Sequence, residues 1–287
     1  MKKILITGAN SYVGTNVEKW LMKEPDKYYV KTLDMKDPNW KEFDFSKFDV
    51  VFHVAGIAHV SSKKNMDELY YKINRDLAIE TAKYSKKSGI NQFIFMSSMI
   101  IYGKDNPISN TNHIDVKLYD PINAYGKSKL EADLGIQKIS GEGFNVSIIR
   151  TPVIYGPECK GNFPRLQKLA KRLIIIPNIK NQRSMIYIEN FAEFIKKIID
   201  YKEYGIFYPQ NNEYVQTSDV LRVTRDALGK KTISLKLFNP LIRFLTKKSN
   251  LFKKIFGNKT YDLALNNNDR LKYNLVDVEE SIIRSMS

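Results

Sequence analysis

The first fourteen residues leave the rest of the chain little freedom. An apolar run, Ile4-Leu5-Ile6, passes through Thr7-Gly8-Ala9-Asn10-Ser11-Tyr12-Val13-Gly14 into apolar residues at helical spacing, Val13, Val17, Trp20 and Leu21. Such a run reads as a buried parallel strand and the repeat after it as a helix. A strand delivered through a glycine turn to a helix N-terminus aims free backbone N–H groups and the positive end of the helix dipole at the turn, which makes an anion site. The anion expected there is the pyrophosphate of a dinucleotide, touched by Gly8, Asn10, Ser11, Tyr12 and Val13. Gly8 permits the tight turn and Gly14 the close approach of helix to strand. Ser11 stands where a middle glycine normally lets backbone meet phosphate, and its hydroxyl can donate to a phosphate oxygen instead. On these residues alone, a strand–turn–helix without a ligand stays open.

The following segments alternate in the same manner. Residues 28–33 read as a second strand ending at Asp34, 20 residues beyond Gly14. There a dinucleotide fold places the acid that accepts hydrogen bonds from the ribose hydroxyls. An acid repels a 2′-phosphate and points to NAD over NADP, although Lys36 two residues on could reach a phosphate. Asp44-Phe45 is a further cofactor contact. Residues 50–54 form the next apolar strand and run into Ala55-Gly56, small residues that let a ligand lie against backbone. Asn74 is expected to open a helix carrying Leu77, Ile79, Ala82 and Tyr84. Two more strands, 93–96 and 146–149, end at Ser97-Ser98 and Arg150. The rhythm predicts an α/β fold, a Rossmann-like doubly wound parallel sheet with right-handed crossovers.

Functional groups in such sheets gather at the carboxyl ends of the strands. Ser98 ends one strand, and Tyr125 and Lys129 lie four apart on one face of the helix that opens at Asn123. A phenol of pKa ~10 is a poor acid near neutrality. A nearby ammonium and a positive nicotinamide would favour the phenolate. Tyr125 could then exchange a proton with a sugar oxygen while hydride moves at the same carbon, with Ser98 holding that oxygen. In a chain of 17 tyrosines and many lysines the pair proves nothing alone. Its place after a strand-ending Ser-Ser carries the weight.

Composition closes off other classes. No apolar run reaches the roughly 18 residues of a membrane span. The apolar stretch after Lys2-Lys3 is too short for a signal peptide. Cys159 is the sole cysteine, which excludes an internal disulfide, and His53, His59 and His113 lack metal-ligand spacing. A cytoplasmic protein without a metal is expected. Net charge is +15, but residues 222–260 hold eleven Lys/Arg against one acid. That concentration argues against a chain-wide groove for nucleic acid.

These motifs together resemble the extended short-chain dehydrogenases of the NAD-dependent epimerase/dehydratase family, nearly end to end. The segment from Phe93 through Ser98 to Gly103 resembles the family's serine strand. Tyr125-Gly126-Lys127-Ser128-Lys129 resembles its catalytic helix, and the segment from Arg150 through Pro152 to Gly156 its post-catalytic loop. The resemblance implies Ser98, Tyr125 and Lys129 as the triad. It also implies NAD or NADP as cofactor, with Lys129, Asn74 and Pro152 beside it. The family's dehydratases carry an Asp-Glu pair directly after the serine position. Here Met99 and Ile100 stand there, and neither can transfer a proton.

The segments 161–166 and 181–190 resemble the nucleotide-sugar half of bacterial capsule and O-antigen reductases and epimerases. This implies Asn162, Arg165 and Arg183 as ligands of a UDP diphosphate, which arginine suits through bidentate geometry. The division expected is a dinucleotide-binding domain over 1–155, including the catalytic helix, and a smaller substrate-binding lobe over 156–287 with some return to the sheet. The leading expectation is NAD(P)H-dependent reduction of the C4 keto group of a UDP-4-keto-6-deoxy-N-acetylhexosamine. A UDP-sugar 4-epimerase with tightly held NAD is the alternative, and a non-catalytic dinucleotide sensor a remote one. Residues 236–259 admit two readings. One is a basic amphipathic helix on anionic lipid; the other, preferred here, is a helix pair packed on the lobe with a solvated lysine face. A homodimer stays open.

Overall fold

Residues 1–58, 66–108, 110, 112–266 and 269–286 are described by the computed structural model. His59 lies outside the described residues. Strand β1 (Lys2–Thr7) is buried from Ile4 onward and pairs in parallel with β2 (Tyr28–Leu33) on one side and β3 (Val50–His53) on the other. The sheet continues through β4 (Gln92–Ser98), β5 (Asn145–Thr151) and the short edge strand β9 (Gly205–Phe207), giving the order β2-β1-β3-β4-β5-β9, all parallel. The order reverses between β1 and β3. That is the switch point, where a crevice opens beyond the carboxyl ends of the strands.

Both faces of the sheet are covered, so its strands read as continuous apolar runs. Ile4 and Ile6 point to one face, where Val17 and Leu21 of α1 (Tyr12–Leu21) meet Phe191, Ile195 and Ile198 of α6 (Ile188–Tyr201). Leu5, Phe93 and Phe95 point to the other. There they meet Ala78 and Ala82 of α3 (Ala78–Lys87) and Ala132 and Ile136 of α4 (Ala124–Gln137). Between β2 and β3 the chain forms two short 3-10 turns, whose Trp40 and Phe45 pack on Tyr84.

The helix expected to open at Asn74 begins earlier. Helix α2 (Met66–Tyr70) carries Asp67 and Glu68 in its first turn, where they suit the helix dipole, and runs into a π-helical stretch, Tyr71–Leu77, before α3. Asn74 is thus in the middle of a continuous helical rod. Its polar side chain marks the widened turn, not a cap.

The rest of the chain builds a lobe on the carboxyl side of the sheet. Strands β6 (Val153–Tyr155) and β8 (Met185–Tyr187) pair in parallel, as do β7 (Ile175–Pro177) and β10 (Ile233–Leu235). Helices α5 (Asn162–Ala170), α7 (Thr217–Ala227) and α10 (Val278–Arg284) enclose a core of Tyr155, Phe163, Val220 and Ile282. Helices α8 (Asn239–Lys248) and α9 (Asn250–Phe256) lie against it. Through α6 and β9 the second half of the chain returns to the sheet.

Candidate active site

At the end of β1, Gly8 adopts φ +114°, and a Cβ there would stand 2.7 Å from the backbone N of Ala55. Only glycine lets the turn pass under the end of β3. Asn10 follows in the left-handed region at φ 61°, which asparagine tolerates. Gly14 is buried, and a Cβ on it would meet Ile6 and Val54 at 3.2 and 3.1 Å. It brings α1 against the strands. Ser11 is the N-cap of α1, and its Oγ accepts from Gly14 N at 3.1 Å. The serine that replaces a glycine therefore finishes the helix, and its O–H remains a donor. The N–H groups of Tyr12 and Val13, in the first turn, have no intrahelical acceptor and point out of the helix end. These groups fit a pyrophosphate.

Asp34 stands exposed at the end of β2, where its Oδ1 accepts from Lys36 N at 3.0 Å and its remaining oxygen lone pairs are open to a ribose diol. Asp44 is exposed and caps the second 3-10 turn through Ser46, which holds its carboxyl below the ordinary value. Phe45 gives its ring to the core, leaving only its backbone for a ligand. Pro152 is buried between β5 and β6.

The candidate proton-handling groups come from β4 and α4. Asn123 caps α4 by accepting from Gly126 N at 2.9 Å. Gly126 in turn lets the segment before the helix pass close, since a Cβ there would lie 3.1 Å from Pro121, and the turn after β4 lies beside it with Ile100 O at 3.4 Å. That turn is Met99–Tyr102, and Ser98 Oγ accepts from Ile100 N at 3.3 Å. Ser98 and Tyr125 are thereby brought into hydrogen-bond contact. Burial pushes the Tyr125 phenol above its ordinary value, and the Ser98 hydroxyl opposes this. One helical turn on, the Lys129 ammonium donates to Met96 O at 2.9 Å. Burial pulls its pKa down to about 8, with the Asp133 carboxylate acting the other way.

Two supports lie under this group. Asn74 is fully buried; its Oδ1 accepts from Ile57 N at 2.9 Å and its Nδ2 donates to Ile57 O at 3.0 Å. Both polar ends thus serve the loop after β3, so the side chain clamps that loop. Gly56, in that loop, is open to solvent, and a Cβ on it would lie 3.3 Å from Lys129 Nζ and 3.0 Å from Asn74 Oδ1. The bare Cα keeps the space over the lysine clear.

Sequence reasoning missed the second support. Arg150 at the end of β5 donates to both oxygens of Asp133, at 2.9 and 3.0 Å, and to the hydroxyls of Tyr102 and Tyr119 at 2.6 and 2.9 Å. Ser97 and Gln137 also donate to that carboxylate. The signal was available: Asp133 follows Lys129 by four, so Tyr125, Lys129 and Asp133 form one stripe on α4.

On the substrate side, Asn162 and Arg165 stand exposed in the first turn of α5. Arg183 is only 15% exposed, paired at 3.1 Å with Asp105 in the segment after the serine strand, and donates to Gly257 O at 3.1 Å. Met99 is buried beside Ile101 and Tyr102, so no acid–base pair follows Ser98. Among the described residues no cluster of His, Cys, Asp and Glu could hold a metal ion.

The NAD dependent epimerase/dehydratase family matches residues 4–207. A UDP-glucose 4-epimerase of Vibrio cholerae is 30% identical over 89% of this chain and 83% of its own length. An Escherichia coli O157:H7 protein, an N-acetyl-alpha-D-glucosaminyl-diphospho-ditrans,octacis-undecaprenol 4-epimerase, is 29% identical over 83% of this chain and 76% of its own. Among solved structures, the UDP-glucuronic acid 4-epimerase of Bacillus cereus, in complex with UDP-glucuronic acid and NAD, superposes with a TM-score of 0.74. It is 20% identical and covers 99% of this chain and 97% of its own, a likeness of fold.

Proposed function

The chain belongs to the NAD dependent epimerase/dehydratase family, and on that premise we propose that it is a nucleotide-sugar 4-epimerase acting on a UDP-hexose or UDP-N-acetylhexosamine. The reading is carried by the kinship with 4-epimerases over more than four-fifths of the chain. Asp34 supports it too, because an acid at the ribose end of the cleft suits a retained NAD better than an exchanged NADPH.

A bound nicotinamide would supply reversible hydride transfer at the sugar carbon. The chain supplies the proton chemistry and the positioning. Gly8, Asn10, Ser11, Tyr12 and Val13 would hold the pyrophosphate, and Asp34 the adenosine ribose. Asp44, the Phe45 backbone, Ala55, Gly56 and Pro152 would line the cleft, with Asn74 fixing its floor. Tyr125 takes the proton from the C4 hydroxyl as the carbon is oxidised and returns it when the carbon is reduced on its other face. Lys129, cationic below about pH 8, favours the phenolate form. Ser98, already hydrogen-bonded to the phenol, holds the same oxygen in line. No atom is gained or lost over the cycle. Asn162 and Arg165 would bind the UDP diphosphate. Arg183 would join them by loosening from Asp105.

Reduction of a 4-keto sugar uses the same groups and is the second reading, supported by the resemblance of residues 161–166 to the sugar half of reductases. One assay separates the two. Purified protein without added cofactor is expected to interconvert UDP-glucose and UDP-galactose, or the corresponding N-acetylhexosamines. Inertness toward all four, with stoichiometric oxidation of NAD(P)H by a UDP-4-keto-6-deoxy-N-acetylhexosamine, would overturn the epimerase reading in favour of the reductase.

A further inference from the structure

The preferred sequence reading of residues 236–259, a helix pair packed on the lobe behind a solvated lysine face, describes half of what the structure contains. Helix α8 does pack inward through Ile242 and Thr246, both buried. Its outward side carries the exposed Arg243, Lys247 and Lys248, and apolar residues stand among them. Leu241 and Phe244, three apart on the helix, are 57% and 58% exposed, and Leu237, in the turn before it, is 79% exposed. Leu251 at the start of α9 is likewise exposed. Beside the helix, the paired strands β7 and β10 set Ile175 against Ile233, and both are exposed. The residue after β7 is joined to the start of α8 by the hydrogen bond that Asn239 donates to Asn178 O.

A single exposed leucine is ordinary, but a group of exposed apolar residues on neighbouring elements marks a contact surface. The charge around it names the partner. Residues 227–261 contain nine Lys/Arg and no Asp or Glu. Of these, Lys236, Arg243, Lys247, Lys248 and Lys254 are exposed among or beside the apolar group. Protein partners call for mixed charge or a dry core, whereas a one-sign cationic rim around protruding leucine and phenylalanine complements an anionic lipid surface. The long lysine stems can lie along the apolar residues with their ammonium heads at phosphate level.

We propose that α8, with the exposed edge of β7–β10, is a docking face by which the protein seats on anionic membranes, the apolar residues entering the headgroup region and the lysines pairing with lipid phosphate. The face is coupled to the sugar side of the cleft. Arg183 donates to Gly257 O at the end of α9 and pairs with Asp105 in the segment after the serine strand. The lobe that would hold the nucleotide sugar is thereby the part presented to the bilayer. This inference does not depend on which C4 reaction the enzyme performs.

The test is flotation of the purified full chain with vesicles of phosphatidylglycerol and phosphatidylcholine, against phosphatidylcholine alone. At least tenfold more protein is expected on the anionic vesicles, falling as salt is raised. The double variant Leu241→Glu/Phe244→Glu is expected to lose that binding at least tenfold while melting at the same temperature as the parent. Lys247→Glu/Lys248→Glu is expected to lose the salt-dependent part. Three results would overturn the proposal: no preference for anionic vesicles, undiminished binding by the leucine–phenylalanine variant, or a parent dimer that this variant splits in light scattering. The last would mean that a second copy covers the face. Tight binding to single-stranded nucleic acid without vesicle binding would count against it equally.

Discussion

Arg150 and Asp133 face each other through two parallel hydrogen bonds, 2.9 and 3.0 Å long, with both side chains essentially sealed from water at 1% and 0% exposure. The pair ties the end of β5 to the stripe of α4 that also carries Tyr125 and Lys129, so it fixes the rotation of that helix over the sheet. Arg150 also lies 5.6 and 5.1 Å from the rings of Tyr102 and Tyr119. Removing one partner leaves a buried charge without its counter-ion. Arg150→Met is expected to destabilise the fold by roughly 3–5 kcal/mol, measured by urea denaturation. Pairing it with Asp133→Leu should restore most of that loss, because an apolar pair of similar volume carries no stranded charge. A double variant as unstable as the single one would show that the tyrosine hydroxyls, and not the carboxylate, set the cost.

Tyr125→Phe keeps the ring against Tyr70, 5.6 Å between centroids, and deletes only the hydroxyl. The expected outcome is a fall in kcat of about 100-fold or more with the affinity for NAD nearly unchanged. Turnover can be followed by the appearance of the C4 epimer and NAD affinity by calorimetry. If NAD binding collapses instead, the phenol has a structural role at the cofactor site.

At the end of β2, Asp34→Ala should weaken NAD by about tenfold or more, the loss of a charged acceptor for ribose hydroxyls. The same change should narrow the preference for NAD over NADP, since the repulsion of a 2′-phosphate goes with the carboxylate. Competitive binding of the two dinucleotides measures both effects.

His53 gives a pH dependence that can be assigned to one residue. It is fully buried at the end of β3, where its Nδ1 meets Thr7 Oγ1 at 2.7 Å. Burial, with repulsion from Lys129, lowers its pKa from 6.5 to about 3. Between those values the unfolded chain binds a proton on this residue and the folded chain does not, so stability falls as pH drops from 6.5 toward 3. For one proton the slope reaches about 1.4 kcal/mol per pH unit. A His53→Gln variant should show that slope reduced in urea melts taken across this range. An unchanged slope would place the acid sensitivity in the carboxylates.

Much of the fold was legible because the parallel strands are short, wholly apolar and punctuated by small residues. Val50 to His53 running into Ala55 and Gly56 could be little else, and Tyr28 to Leu33 matched its strand residue for residue. Ser98, Tyr125 and Lys129 were singled out by spacing and resemblance, and the strand and helix that carry the first two place them in contact. Less could be read where the decisive contact is far away in sequence. Asn74 has the look of a helix opener, and only the loop after β3, closing on it from 17 residues away, explains why it sits inside a π-helical turn. The apolar repeat in α8 revealed an apolar face but could not reveal that part of it is uncovered. Periodicity records which residues share a side, not what lies opposite.

Ser11 has a consequence for how the coenzyme is loaded. Where glycine occupies that turn, the loop is loose and the arriving phosphate helps to shape the helix end. Here the hydroxyl already accepts from Gly14 N, so the first turn of α1 is capped before any phosphate arrives. Part of the ordering that a glycine would leave to binding is thereby met when the chain folds.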